Sequence, residues 1–186
     1  MAIQKVVLGK MQLKDADRMA KLMNNRDVQK NLRDHIPFPY ANDDARQFII
    51  TSNILSPPLN LGIYFDQKLV GVIGITINKS TVDHEAEIGY WIGKPFWNKG
   101  ITTQALRQMV EYVFDQFDLE IIFATVFIHN RPSMRVLTKS GFIFEHIVTD
   151  GYVKQGKPID LHYYKLTKRH YLALNKQVKN MDQIID

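Results

Sequence analysis

The chain has 186 residues and a mass of 21.6 kDa, with 45% hydrophobic and 23% charged residues. That is enough apolar material for one full core and predicts a single domain over residues 1–186. A composition near the globular average excludes disordered, collagen-like and fibrous chains, and no apolar run approaches the ~18 residues of a membrane span. With no cysteine, disulfides, thiolate metal sites and a cysteine nucleophile are excluded together.

Met1-Ala2-Ile3-Gln4-Lys5 lacks the basic, apolar and small-residue succession of a secretory signal, so a cytoplasmic protein is expected. Lys plus Arg number 24 and Asp plus Glu 19, a net charge of +5. Four of these excess charges fall in the last 36 residues, Gly151 to Asp186. A solvated helix and strand edge account for them, and no zinc-finger spacing or RNA-binding signature supports direct nucleic-acid binding.

In chain order, Val6 to Leu13 reads as a strand and Lys14 to Asn24 as a helix. Ala16, Met19, Ala20 and Met23 form its buried face. Val28 to Leu32 allows a helical turn or two, and Pro37-Phe38-Pro39-Tyr40 forbids helix. Asn42 or Asp43 caps a helix running to about Leu55, before Pro57-Pro58. Leu61 to Phe65 and Leu69 to Ile77 form a hairpin around Asp66-Gln67, and Glu85 to Ile92 is a further strand.

Gly100 to Phe117 is a long helix. Its apolar stripe (Ile101, Ala105, Leu106, Met109, Val110, Val113, Phe114, Phe117) is wide enough to pack on a sheet. Ile121 to Ile128 is a strand, Arg131 to Lys139 a helix stopped by Gly141, and Phe142 to Val148 a strand. Either Asp150-Gly151 or Gln155-Gly156-Lys157 turns the last hairpin, with Ile159 to Leu166 returning. Strands and helices alternating around a mixed sheet predict an α/β or α+β class.

Two stretches carry chemistry. In the first, strand Glu87-Ile88-Gly89-Tyr90-Trp91-Ile92 is followed by Trp97-Asn98-Lys99-Gly100-Ile101-Thr102-Thr103 at the start of the long helix. The first amides of a helix have no internal partner and carry partial positive charge, so a phosphate or pyrophosphate is favoured at Lys99 to Thr103. Gly100 permits the bend. The chain has neither G-x-x-x-x-G-K-[ST] nor G-x-G-x-x-G, which excludes P-loop and dinucleotide-fingerprint readings. In the second stretch, Asn130 can cap a helix whose first turn holds Pro132 and Ser133.

Together these stretches resemble the GNAT superfamily of acetyl-CoA-dependent N-acetyltransferases, and within it the RimJ/RimL group that acetylates ribosomal-protein N-termini. The matching pieces are Ala86 to Ile92, Gly100 to Leu106, and Asn130-x-x-Ser133 followed by Arg135-Val136-Leu137 and Gly141-Phe142. The family's pyrophosphate loop reads [QR]-x-x-G-x-[GA]; here Trp97 holds its first place and Thr102 its last. The resemblance implies a GNAT fold: a central, mixed, mostly antiparallel twisted sheet with helices on both faces.

It also implies that acetyl-CoA lies with its pantetheine arm in a splay between the strand ending at Ile92 and the strand Ile121 to Ile128. Main-chain groups of Tyr90, Trp91 and Ile92 would pair with that arm. The loop Trp97 to Thr103 would hold the pyrophosphate, Asn130 would contact the arm, and Ser133 would act as general acid at the sulfur. Acyl transfer from a thioester to an amine needs a neutral amine, a supported oxyanion and a protonated thiolate, but no enzyme nucleophile.

The base is a choice among carboxylates. Glu87, on the strand beside the acceptor groove, is the first candidate, against the alternative of a structural carboxylate bonded to a neighbouring loop. Some ribosomal-protein-acetylating members carry a carboxylate where this chain has Tyr152, and a phenol near pKa 10 is a poor base. Glu145 and Asp160 are further candidates. An α-amine is about one-tenth to one-sixth neutral at pH 7, a lysine side chain only about 1 part in 2,500, so an N-terminal acceptor can dispense with a strong base.

Phe38, Tyr40, Trp91 and Trp97 are aromatic candidates for the acceptor wall. No metal is expected, because His84 points away from Glu85 and Glu87 along the strand. The expected partners are acetyl-CoA and an amine, either a protein N-terminus or a small amine such as a drug, polyamine or amino-acid derivative. A membrane is excluded, a homodimer is left open, and a non-enzymatic CoA-binding module is the remaining alternative.

Overall fold

A computed structural model describes residues 5–77 and 84–185; the side chains of residues 177–185 are outside the description. Four of the five N-terminal residues used for the signal reading lie outside it. Seven strands form one sheet in the order β1-β2-β3-β4-β5-β7-β6. The strands are β1 Val6–Gly9, β2 Asn60–Phe65, β3 Lys68–Ile77, β4 Glu85–Ile92, β5 Ile121–Phe127, β6 Ile143–Lys154 and β7 Lys157–Thr167. All adjacent pairs are antiparallel except β4 and β5. The helices are α1 Ala16–Met23, α2 Arg26–Gln29, α3 Asn42–Ser52, α4 Ile101–Gln116, α5 Arg131–Lys139 and α6 Lys168–Ile185.

The two faces of the sheet carry two apolar clusters. On one, α4 sets Ile101, Ala105, Leu106, Met109, Val110 and Val113 against Ile73, Ile75, Ala86, Ile88, Ile122 and Ala124. On the other, Ala16, Met19, Ala20 and Met23 of α1 pack with Ala45 and Ile49 of α3 over Leu69 and Val72. Each fully buried side chain of Leu, Ile or Met size contributes about 1.5–3 kcal/mol, so the predicted stripes are what fasten both helix layers. The fold is the expected α/β sheet with helices on both faces.

Some boundaries move. The first strand ends at Gly9 rather than Leu13, because Met11 turns into the second cluster and Gln12 N donates to Asp15 Oδ2 at 2.9 Å to start a 3-10 turn. The cap of α3 is Ala41, whose N–H is taken by Asp44 Oδ2 at 2.7 Å; Asn42 is already helical, and the helix stops at Ser52. The last hairpin turns at Gln155-Gly156, where both residues have positive φ (49° and 77°). Asp150-Gly151 is instead an irregularity within β6, where the register shifts between Val148 and Tyr152. That strand therefore runs six residues past its expected end.

Candidate active site

The site begins where the sheet comes apart. β4 and β5 pair over only three positions, Glu85↔Ile121, Ala86↔Ile122 and Glu87↔Phe123. Beyond Glu87 no ladder joins them, leaving a wedge between Gly89–Ile92 and Ala124–Phe127. Two cavities meet in this wedge, of about 590 and 740 Å³. Six residues line both: Asn31, Leu32, Tyr90, Trp91, Asn130 and Ser133.

The larger cavity holds the predicted anion loop. Tyr90, Trp91 and Ile92 line it, as does the whole run Trp97, Asn98, Lys99, Gly100, Ile101, Thr102 and Thr103. Trp97 Nε1 donates to Ile92 O at 2.8 Å and locks the loop to the end of β4. Asn98 and Gly100 both take the left-handed conformation, with φ of 59° and 73°. A Cβ built on Gly100 meets nothing within 4 Å, so its mouth is open and the glycine serves the backbone angle rather than a tight contact.

The first ladder bond into α4 is Gln104 N to Gly100 O at 3.1 Å. The amides of Ile101, Thr102 and Thr103 precede it and have no intrahelical acceptor. Four cations line this cavity, Lys30, Lys99, Arg135 and Lys139, and no carboxylate does. The wall is thus chemically fitted to a polyanion with a neutral polar tail.

At the junction, Asn130 caps α5 by accepting from Ser133 N at 3.3 Å. The hydroxyl of Ser133 lies 2.9 Å from the phenol of Tyr90, which rises from β4. Burial pushes the Tyr90 phenol above its ordinary pKa, with the Ser133 hydrogen bond acting in the opposite direction. From the sequence, Tyr90 is expected to act through its main chain only. Its side-chain partner, 43 residues away, had no local signal.

Glu87 lines the smaller cavity. Its Oε1 accepts from Arg33 Nη2 and from Thr125 Oγ1, both at 2.6 Å, and the same Arg33 nitrogen lies 2.9 Å from Thr125 Oγ1. Its other oxygen has no partner among the described residues. Arg33 was missed because it lies in an aperiodic stretch before Pro37.

That stretch, residues 30–41, crosses the wedge as a strap. Asp34 secures its far side: Lys154 Nζ reaches Oδ1 at 2.9 Å and Gln155 N donates to Oδ2 at 2.6 Å. The Gln155 amide, followed by Lys154, lowers the Asp34 carboxyl below its ordinary pKa. On the near side, Asp27 holds Lys94 at 2.6 Å and Lys30 at 3.0 Å, which lowers its pKa to about 2.

Tyr152, one of the catalytic candidates, lines neither cavity; its hydroxyl accepts from Asp34 N at 2.8 Å and helps fasten the strap. Glu145 lies 3.8 Å from Lys165 and Asp160 accepts from Asp150 N at 3.0 Å, both away from the cavities. Of the proposed aromatic wall, Tyr40 and Trp91 line the smaller cavity and Trp97 the larger, while half-exposed Phe38 lines neither. Among the described residues, no group of three or more His, Asp or Glu is placed to hold a metal, and no helix is long and apolar enough to cross a membrane.

Residues 5–143 match the Acetyltransferase (GNAT) domain family. The chain belongs to the GNAT N-acetyltransferases, enzymes that depend on acetyl-CoA, and is of their RimJ/RimL-like type. It is 34% identical over 165 residues to the Bacillus subtilis protein named "Putative ribosomal N-acetyltransferase YdaF", covering 85% of this chain and 88% of that one. Among solved structures it is similar in fold to Mycobacterium smegmatis RimJ in complex with CoA-disulfide (22% identity, TM-score 0.79, 88% of this chain and 82% of that one). It is also similar in fold to Vibrio cholerae spermidine N-acetyltransferase in complex with CoA and spermine (19% identity, TM-score 0.73, 90% and 98%).

Proposed function

We propose that this GNAT enzyme transfers acetyl from acetyl-CoA to the α-amine of a protein or peptide, of the ribosomal-protein type, and that residues 1–186 form one such domain. The observation that carries the reading is the junction itself. A cation-lined cavity without carboxylates meets a second cavity holding an Arg-paired carboxylate, and Tyr90, Ser133 and Asn130 stand between them. The curated relative named for a ribosomal substrate supports the choice of acceptor.

Acetyl-CoA supplies an activated acyl thioester. The amides of Ile101 to Thr103 and the Lys99 ammonium receive its pyrophosphate, and the unpaired edges of β4 and β5 align its arm as an added strand does. Asn130 orients the arm from the opposite side. Ser133 delivers a proton to the departing thiolate, held in register by the Tyr90 phenol.

Glu87 receives the acceptor through its free oxygen. Its bonds to Arg33 and Thr125 fix the carboxylate in place, which suits it to orienting an ammonium. An α-amine then loses its proton largely to solvent, since about a tenth or more is neutral at pH 7.

Intact mass spectrometry after incubation with acetyl-CoA tests this reading. The panel comprises purified ribosomal proteins, short peptides with free N-termini, spermidine and free amino acids, with CoA release followed in parallel. Acetylation confined to the N-termini of the proteins or peptides is expected. Turnover of the small amines alone overturns the acceptor assignment, and no turnover with any member overturns the enzymatic reading in favour of a binding module.

A further inference from the structure

Gly74 and Gly89 face each other across β3 and β4, and both line the smaller cavity. They are not equivalent. A Cβ on Gly74 would collide with Asn60 Oδ1, so a neighbouring side chain already covers that glycine. A Cβ on Gly89 meets nothing within 4 Å, and the residue is exposed although it lies inside a strand. Glycine weakens a strand interior and often marks a place where another group approaches the backbone. Among the described residues, none makes that approach over Gly89.

Alternation along β4 puts position 89 on the same face as Glu87 and Trp91. The space above Gly89 therefore adjoins the carboxylate that orients the acceptor. The cavity also has an apolar wall. Met19 and Met23 of α1, Phe48 of α3, Val72 and Trp91 line it, and all five belong to the second apolar cluster. Met19 and Met23 are only 1% and 2% exposed, so the wall they form is closed to solvent. Gln47 and Thr51 of α3 line the cavity too, but both are exposed and make a polar way in.

We propose that the space above Gly89 receives the first side chain of the acceptor and selects a large apolar one, of the methionine, leucine or phenylalanine class; this rests on the α-amine reading of the site. From an amine held at Glu87, the first residue branches into a side chain and a continuing backbone. Only the side chain can end against a closed apolar wall, because a peptide running there would bury amides without partners. The backbone leaves past Gln47 and Thr51. Flexible thioethers let the wall fit straight, branched or aromatic groups, whereas a small first residue forfeits the burial. Gly89 sets the size limit, since any β-carbon at this position enters the pocket.

Peptides identical except for the first residue test the assignment, with Met, Leu and Phe set against Gly, Ala and Ser. kcat/KM is read from CoA release, and intact mass spectrometry confirms the acetylated N-terminus. Wild type is expected to favour the large apolar group about tenfold or more, the scale of discrimination in an apolar pocket. Gly89→Val, a residue suited to strands, should cut the ratio of large-residue to small-residue kcat/KM about tenfold or more. The wild-type series stands whether or not the variant folds.

Wild type that favours small first residues, or treats all six alike, overturns the pocket. A Gly89→Val variant that keeps the wild-type ratio, or loses activity equally on every peptide, overturns the role of Gly89. Turnover of spermidine or free amino acids with no peptide acetylated makes the underlying α-amine reading fail, and the pocket with it.

Discussion

Tyr90 and Ser133 are 43 residues apart in the chain, yet their hydroxyls meet at 2.9 Å where the two cavities join. A strand residue and a helix residue thereby share one hydrogen bond at the end of the sheet wedge. A buried phenol held above its usual pKa stays protonated and remains a donor throughout the working pH range. Ser133→Ala is expected to lower kcat about 100-fold with the amine selected by mass spectrometry, the usual scale of a lost general acid. Tyr90→Phe should lower it about tenfold with little change in the KM for acetyl-CoA. In the Ser133→Ala background the same change should do nothing more, because Tyr90 acts through the serine; steady-state kinetics on the four proteins reads the coupling.

Glu87 and Arg33 yield a second expectation. Glu87→Gln keeps an acceptor for Arg33 and Thr125 but removes the negative charge. The KM for an α-amine acceptor should rise about tenfold, as expected when a charged hydrogen bond is weakened. The rate should still climb through the ordinary α-amine pKa of about 7.7–8.0. Initial rates across pH decide the matter: loss of that limb in the variant makes Glu87 the proton acceptor rather than an orienting group.

Gly100→Ala isolates the backbone at the anion loop. With φ at 73° and nothing within 4 Å of the new methyl, all the cost is torsional, about 1–2 kcal/mol. Thermal unfolding should fall by roughly 2–8 °C for a chain of this size. Any relaxation of the angle tilts the amides behind it, so CoA binding by calorimetry should weaken as well.

The strap has its own acid sensitivity. Asp34 has a folded pKa below its ordinary 3.8, so its contribution is complete above that ordinary value and disappears as pH falls through the folded one. Asp27, lowered to about 2, behaves the same way on the near side. At neutral pH, Asp34→Asn should speed hydrogen exchange of amides in residues 31–36 while leaving α4 protected. The melting difference between variant and wild type should hold down to about pH 5 and close in stronger acid.

Much of the frame was legible because it is written locally. β4 and α5 begin and end where alternation, an Asn cap, a Pro in the first turn and a following glycine place them. α4 differs from expectation by one residue at each end, since a stripe from Ile101 to Phe114 admits only a helix. The loop expected to hold an anion was located for the same reason, by a glycine immediately before that stripe.

The acceptor side was not. Residues 30–41 have no period, and their course is set by partners far along the chain. Arg33 meets Glu87 54 residues on, and Asp34 meets Tyr152 118 residues on. Tyr152 shows the limit most clearly: family resemblance drew attention to the position, but only the folded chain shows its phenol receiving the Asp34 amide. The extent of β6 was hidden too, because Asp150-Gly151 reads as a turn until β7 supplies a partner on both sides of it.

Asn31 and Leu32 line both cavities, so the strap bridges the wedge instead of stopping at its rim. What lies beneath is a passage with two doors, one beside α4 and the other toward α3. Under the proposed function, the thiol and the acetylated amine would each have a separate opening.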